Sequence, residues 1–312
     1  MKILHLEENH PALVDGLEAL GFQNDLAFED SLEEIMVKVG QYDGLIIRSK
    51  YPIDETFLAR AKELKFIARV GAGMENIDVP AVESRKILLV NAPEGNRNAV
   101  GEQALGMLLA LMNRLKSGHN SIKSGEWDRE GHRGWELSGR TIGIIGYGHT
   151  GKSFARRISG FDVRTLCYDI LENIGDDYAQ QVNLETLQSQ SEVISLHIPQ
   201  TDLTKGLVNK EFIDTMSNPF WLLNTARGSA VVTKDLVEGL QSKKIMGAGL
   251  DVLEYETRSF SSIFNQEILP PALKYLMEAE HVLLSPHVAG CTQESHLKLA
   301  KTIIEKLKKI VS

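Results

Sequence analysis

Residues 141–169 read TIGIIGYGHTGKSFARRISGFDVRTLCYD, and the order of physical signals in this stretch decides the fold. Ile142, Ile144 and Ile145 make the buried β-type run expected of a parallel strand covered on both faces. Gly146, Gly148 and Gly151 follow as G-x-G-x-x-G. A helical stretch comes next, and then the apolar strand VRTLCYD, which closes on Asp169. Gly146 permits a tight turn, Gly148 lets the backbone approach a pyrophosphate, and Gly151 allows close helix–strand packing. The N–H groups opening the helix, from His149 and Thr150 to Lys152, then face the phosphates, aided by the helix dipole. A carboxylate at Asp169 can accept both ribose hydroxyls and repels a 2′-phosphate, so NAD is favoured over NADP. A bare G-x-G-x-x-G is often only a Gly-rich turn. Here strand, helix and acidic residue stand where a dinucleotide-binding motif requires them.

The motif begins near the middle of 312 residues, a length that suits two domains of about 100–200 residues each. Before it, MKILHL, YDGLIIR, FIARVG and ILLVNA read as short buried strands. PALVDGLEALG, SLEEIMVKVG and ETFLARAKEL read as amphipathic helices between them. After it, VISLHI, FWLLNTA, IMGAGLDV and HVLLSP read as further strands. Strands alternating with helices imply a parallel sheet covered on both faces. The expected fold class is therefore α/β, with two doubly wound parallel-sheet domains. Between the halves, a mostly apolar helix is expected from Asn98 to His119. Gly, Glu, Gln, Asn and Arg interrupt it too often for a membrane span, and burial between domains or subunits suits it better. A polar linker, WDREGHRGWELSGR, follows. A last helix is expected over Gln293–Val311, its lysines on a solvated face.

Composition removes several function classes. The net charge of −8 argues against a general nucleic-acid surface or an anionic-membrane surface. The opening residues lack the apolar core of a signal peptide, and no run approaches about eighteen apolar residues. Cys167 and Cys291 show neither zinc spacing nor a disulfide framework. No metal site is expected, and a reducing cytoplasm fits. Cys167 reads as a small core hydrophobe and Cys291 as an incidental neighbour of a candidate catalytic residue.

Polar residues recur just after the strands of the second half. His197 and Pro199 follow VISL; Thr225, Ala226 and Arg227 follow FWLLN; Asp251 ends GAGLD, with Glu256 beyond it; His287 follows VLLSP. Ligands of open α/β sheets bind outside the carboxyl ends of strands, near the switch point. Taken singly, Arg227 reads equally as a surface ion-pair partner, Glu256 as a solvated charge and His287 as a structural histidine. Together they are the parts needed to move a hydride to or from a 2-hydroxy acid. Arg227 can grip a carboxylate or the C2 oxygen with planar, charge-assisted hydrogen bonds. His287 can exchange a proton with that oxygen, and Glu256 bonded to the imidazole would favour its protonated form.

At this point the sequence resembles the D-isomer-specific 2-hydroxyacid dehydrogenases over nearly its whole length. RVGAGMENIDV, NAPEGNRNAVGEQALGMLLALM, ELSGRTIGIIGYGHTGK, HIPQTDLTKGLVN, LLNTARGSAVV, GAGLDVLEYE and LLSPHVAG are similar to family blocks in the same order. The resemblance implies Arg227, Glu256 and His287 as the catalytic residues. It implies a cofactor site drawn from Gly146, Gly148, His149, Thr150, Gly151, Asp169, His197, Pro199, Thr204, Thr225, Ala226, Asp251 and Gly290. It also implies a substrate loop at Gly71, Ala72 and Gly73, where the N–H groups of Ala72 and Gly73 hold the substrate carboxylate. It further implies a Rossmann-type NAD domain, residues 98–289, inserted into a flavodoxin-like substrate domain made of 1–97 plus 290–312. A homodimer through the 98–119 helix region is implied as well. Departures are His149–Thr150 where the family usually has Arg-Ile, Cys291 where many members carry Trp, and a longer, partly helical 257–280 segment that could touch the site or a partner subunit.

IIRSK resembles the element that phosphoglycerate dehydrogenases place against the substrate phosphate, with Arg48 and Lys50 supplying charge. Two charged residues after a strand are the plainer reading of the same positions. The W-x-R of Trp127–Arg129 is similar to those enzymes too. Oxidation of 3-phosphoglycerate to 3-phosphohydroxypyruvate is the expected reaction. Reduction of glyoxylate, hydroxypyruvate or another 2-keto acid is the alternative. Formate dehydrogenases share the architecture but pair the histidine with Gln rather than Glu256. An NAD-sensing corepressor would need a peptide-binding surface that no sequence feature signals. With the chain ending at Ser312, a form without a C-terminal regulatory domain is expected.

Overall fold

The structure, a computed structural model, describes residues 1–256 and 269–311. The described residues fall into two compact units, and the chain passes from one to the other between Arg97 and Asn98 and back between Gly290 and Cys291. In the first unit, β1 (Lys2–His5), β2 (Gln23–Leu26), β3 (Gly44–Ile47), β4 (Phe66–Arg69) and β5 (Leu88–Asn91) form a parallel sheet in the order β2-β1-β3-β4-β5. This is the flavodoxin-like order. Strand alternation sends Ile3, Ile46, Phe66 and Ala68 to one face, against Leu13, Leu17 and Ile303 of the helices Ala12–Ala19 and Gln293–Val311. Leu4, Leu45, Ile47 and Ile67 go to the other face, against Ile35, Phe57 and Val82. Each of the buried Leu, Ile, Val and Phe side chains among these contributes about 1.5–3 kcal/mol. Both faces being covered is why the strands read as unbroken apolar runs.

Two elements of this unit carry little apolar signal. β2 reads QNDL because it is an edge strand with none of its four residues buried. The helix Val79–Ser84 rests on a local device, the Asp78 side chain accepting the Ala81 N–H, with Pro80 in its first turn. The helix expected over ETFLARAKEL stops at Arg60.

In the second unit, β6 (Thr141–Ile145), β7 (Arg164–Tyr168), β8 (Gln180–Gln181), β9 (Val193–Leu196), β10 (Phe220–Asn224), β11 (Ile245–Leu250) and β12 (Val282–Leu284) are all parallel, in the order β12-β11-β10-β9-β6-β7-β8. The chain winds outward from β6 to β8, then returns to build β9 to β12 on the other side. The reversal lies between β6 and β9, the switch point where ligands of such sheets bind. One face packs Leu196, Phe212, Leu222 and Leu250; the other packs Met107, Met112, Ile144, Phe154 and Trp221.

The single helix expected over Asn98–His119 is two helices, Pro93–Met112 and Leu115–Lys123. Proline suits the first turn, where its missing N–H has no partner to lose. The break has a visible cause. The Met112 carbonyl accepts the Trp135 N–H at 2.9 Å instead of continuing the helix. A Cβ on Gly134 would stand 2.5 Å from that carbonyl oxygen, so the linker crosses close over the helix end. Arg114 then takes a left-handed φ of 51° and donates to the Gly131 carbonyl. Of the 257–280 segment, residues 257–268 lie outside the described residues, and Pro271–Glu278 is a helix.

Candidate active site

β6 delivers Gly146 with φ +88°, and a Cβ there would lie 2.6 Å from the His197 carbonyl oxygen. A Cβ on Gly151 would lie 2.2 Å from the Gly146 oxygen. Both glycines answer to the protein's own packing. Gly148 differs: its φ is −85°, and a Cβ there would meet no atom within 4 Å. What its missing side chain leaves is open space beside the helix His149–Ile158, whose start has no side-chain cap. Uncapped N–H groups and the positive end of the dipole suit a pyrophosphate. His149 is exposed and Thr150 half-buried.

Asp169, half-buried, accepts the Tyr147 N–H at 2.7 Å and the Leu171 N–H at 3.0 Å, one on each oxygen. A carboxylate oxygen has a second lone pair, so capacity for ribose hydroxyls remains. The same carboxylate also shapes the glycine turn from below. Tyr147, unremarked in the sequence, is buried and donates its hydroxyl to Asp176 at 2.6 Å. That bond ties the turn to the chain beyond β7.

Across the switch point, His197 turns inward. It shares a 2.9 Å hydrogen bond with Ser195 Oγ and stacks on Phe154 at 5.4 Å. Burial pushes its pKa down to about 3, so the ring is neutral. His197 Nδ1 and Thr225 Oγ1 are buried with no hydrogen-bond partner among the described residues. Unsatisfied polar atoms at adjacent strand ends are rare in a finished interior, and a bound polar group would satisfy them. Thr204 donates its hydroxyl to the Pro199 carbonyl at 2.7 Å and so fixes the turn after β9. Glycine turn, uncapped helix and orphaned atoms all fit a dinucleotide.

Next come the ends of β10, β11 and β12. Asn224, nearly fully buried, accepts the Ala226 N–H and donates to the Arg227 carbonyl. This asparagine sets the turn that carries Arg227, and nothing in the sequence separated it from its apolar strand. A Cβ on Gly228 would stand 1.9 Å from the Leu253 carbonyl oxygen, so the turn packs directly on the chain leading to Glu256. Asp251, 1% exposed, accepts from the Ser285 hydroxyl and from the Val288 and Ala289 N–H groups. It is the post on which the turn around His287 is hung. His287 itself has φ 54°, a conformation uncommon for a side-chain-bearing residue and worth a functional question. Its Nδ1 lies 2.7 Å from Glu256 Oε2, and the other Glu256 oxygen accepts the Leu253 N–H at 2.6 Å. Glu256 thus orients the ring through Nδ1. Gly290 closes the turn, at the point where the second unit ends.

The first unit holds the remaining candidates. Ala72 and Gly73 follow β4, and their N–H groups have no hydrogen-bond partner among the described residues. The flanking chain is anchored: the Gly71 carbonyl accepts from Ala92, and the Ala72 carbonyl accepts from Asn91. Arg48 and Lys50 follow β3, and there one carboxylate dominates. Glu7 accepts the N–H groups of Arg48, Ser49 and Lys50. Lys50 donates its ammonium to the Phe28 carbonyl at 2.6 Å, so its charge is already engaged. Among the described residues no helix is long and apolar enough to cross a membrane, and no group of His, Cys, Asp and Glu is placed to hold a metal.

Residues 105–289 match the D-isomer specific 2-hydroxyacid dehydrogenase, NAD binding domain. Over 98% of its length the chain is 32% identical to a D-3-phosphoglycerate dehydrogenase of Archaeoglobus fulgidus. The chain belongs to the D-isomer specific 2-hydroxyacid dehydrogenase family. It spans 56% of the length of that relative. It is also 32% identical, over 88% of its length and 87% of the other's, to a hydroxypyruvate reductase of Thermotoga maritima. Among solved structures it is similar to a D-lactate dehydrogenase of Aquifex aeolicus complexed with NAD and lactic acid. That match has a TM-score of 0.84 and 25% identity, covering 100% of this chain and 95% of the other. The second unit is thus an NAD-binding domain, and the open glycine turn, the spare acceptor capacity of Asp169 and the orphaned strand-end atoms are compatible with that cofactor.

Proposed function

We propose that this chain is an NAD-dependent oxidoreductase of D-2-hydroxy and 2-keto acids. The observation that carries the reading is the 2.7 Å contact between His287 Nδ1 and Glu256, in the unit that bears the glycine turn. Bound at that turn, NAD supplies the hydride acceptor or donor. Arg227 grips the substrate carboxylate or C2 oxygen. His287 Nε2 takes the hydroxyl proton in oxidation and returns it in reduction, with Glu256 opposite the imidazolium. Asp251 positions the histidine, and the N–H groups of Ala72 and Gly73 receive the substrate carboxylate. In this reading the substrate domain is 1–97 plus 290–312 and the NAD domain is 98–289.

The favoured substrate pair is 3-phosphoglycerate and 3-phosphohydroxypyruvate. Arg48 supports it, because its side chain has no ion-pair or hydrogen-bond partner among the described residues. The engaged ammonium of Lys50 favours the second reading, a glyoxylate or hydroxypyruvate reductase. A panel of 3-phosphoglycerate with NAD, and of 3-phosphohydroxypyruvate, glyoxylate, hydroxypyruvate and pyruvate with NADH, decides between them. The highest kcat/KM is expected for 3-phosphohydroxypyruvate. A higher value for glyoxylate or hydroxypyruvate would establish the second reading, and no turnover of any of them would overturn the dehydrogenase itself.

A cytoplasmic homodimer completes the proposal. Leu115 and Ile122 lie two turns apart on one helix, 58% and 56% exposed, and Trp127 beyond them is 81% exposed. Sedimentation of the protein beside a Leu115→Glu variant tests this: a monomeric native protein would refute it.

A further inference from the structure

We propose that His10 and His296 join Arg48 in an anion subsite that reads the distal anionic group of the substrate, a phosphate monoester or a second carboxylate. The proposal rests on the dehydrogenase reading above and names what its substrate carries beyond C2. β1 and β3 are neighbours in the first sheet, with Ile3 to His5 beside Gly44 to Ile46. Their ends therefore bring His10 and Arg48 to the same edge, next to β4 and the Gly71–Gly73 loop. The helix Gln293–Val311 adds His296 in its first turn, and the two imidazoles meet edge to face at 5.3 Å.

The chemistry of the three groups is complementary to an anion. His10 Nδ1 accepts the Ala12 N–H at 3.2 Å. A neutral His10 must then carry its proton on Nε2, so it presents a donor in either charge state. The side chains of Arg48 and His296 form no hydrogen bond or ion pair among the described residues. Burial, the charge of Arg48 and then His10 push His296 below the usual histidine range, with Glu8 opposing them. Arg48 and His10 therefore both oppose a positive charge on His296, and the exposed carboxylate of Glu8 favours it. An incoming anion relieves that opposition and makes protonation of His296 easier, so binding should take up protons. The backbone cannot do this work at the same edge, because Glu7 fills the Arg48–Lys50 N–H groups.

Two readouts test the subsite, in the full chain. The first is the ratio of kcat/KM for 3-phosphohydroxypyruvate to that for glyoxylate, which lacks a distal charge. A parallel arm uses 2-oxoglutarate in place of the phosphate, which separates a phosphate reader from a carboxylate reader. The ratio in the preferred arm is expected to fall about tenfold in His296→Gln and in His10→Gln, the worth of one hydrogen bond to a charged group. The second readout is calorimetric binding of 3-phosphoglycerate at pH 7 in buffers of different ionisation enthalpy. Net proton uptake is expected in the native protein and its loss in His296→Gln. His296→Arg should restore the ratio without restoring uptake, an outcome that a merely structural role would not produce. Unchanged ratios in both arms, or proton uptake unaffected by His296→Gln, would overturn the subsite. Should no 2-keto acid turn over, the dehydrogenase reading falls, while the binding measurement still decides the subsite.

Discussion

Two turns at strand ends meet negative charge in opposite ways. After β6, the Gly146–Gly151 turn runs into an uncapped helix with open space at Gly148. After β3, three consecutive N–H groups converge on the chain's own Glu7. The first turn is prepared for an anion from outside, and the second is already neutralised from within. A cluster of N–H groups at a strand end is therefore not a binding site until the chain's own carboxylates have been placed. In the proposed subsite of the first unit, the work of recognising a distal charge passes to side chains.

The largest expected effect tests whether the chemistry sits at the strand ends of the second unit. His287→Ala should lower turnover by about 10²–10⁴-fold, the usual worth of a general acid–base group. NADH binding, followed by fluorescence titration, should survive, because the glycine turn is untouched. Near-normal turnover would remove His287 from the mechanism and leave the Glu256 contact as local architecture.

A smaller effect separates two glycines of one motif. Gly151→Ala places a Cβ 2.2 Å from a backbone oxygen, and such overpacking costs about 1–3 kcal/mol. Gly148→Ala meets no protein atom, so thermal stability should hold while NADH affinity drops by roughly tenfold, about one charged hydrogen bond. Equal melting temperatures for the two variants would show that the turn is not shaped as described. Equal NADH affinities for Gly148→Ala and native protein would mean that the open space is not where the pyrophosphate goes.

The contrast also explains what was legible in the sequence. The parallel sheets were readable because both faces of the inner strands are covered, which forces runs such as GLII and FWLLN. The glycine turn was readable because Gly146 and Gly151 answer to close backbone contacts. The positions of Arg227, Glu256 and His287 beyond the ends of β10, β11 and β12 were readable by strand direction alone. Residues that act by holding others left no such trace. Asn224 sits inside an apolar run, Tyr147 looks like a spacer between glycines, and Glu7 binds a turn 41 to 43 residues away. The helix break at Arg114 was hidden for the same reason: its cause is Trp135 and Gly134, across the linker.

The buried and open histidines extend the comparison to pH. His197 is inward and neutral, with a folded pKa near 3, whereas an unfolded histidine titrates near 6.5. Between these values the unfolded chain binds the extra proton. This contribution is therefore full above pH 6.5 and is lost as the pH falls toward 3, at about 1.4 kcal/mol per pH unit. His5 and His281, also lowered by burial, act in the same direction. Melting of the cofactor-free protein should fall steadily from pH 6.5 to 4, and His197→Gln should flatten that slope. An unaltered slope would place the acid-sensitive group elsewhere.

The smallest effect goes to the closed turn itself. Glu7→Gln removes the charge and keeps one oxygen, but its NH2 group takes the place of an oxygen that accepts a backbone N–H, and the loss should be about 1–2 kcal/mol. Glu7→Ala removes the acceptor altogether and leaves three donors, on half-buried Arg48 and Ser49 and exposed Lys50, facing a space of carboxylate size. If the turn resembles the glycine turn in everything but its internal anion, formate or acetate should then raise the melting temperature of Glu7→Ala more than that of Glu7→Gln or the native protein. Equal responses in all three would mean that the N–H groups rearrange once Glu7 is gone. The convergence at β3 would then be a product of the carboxylate, and the likeness between the two turns would end at the drawing of their backbones.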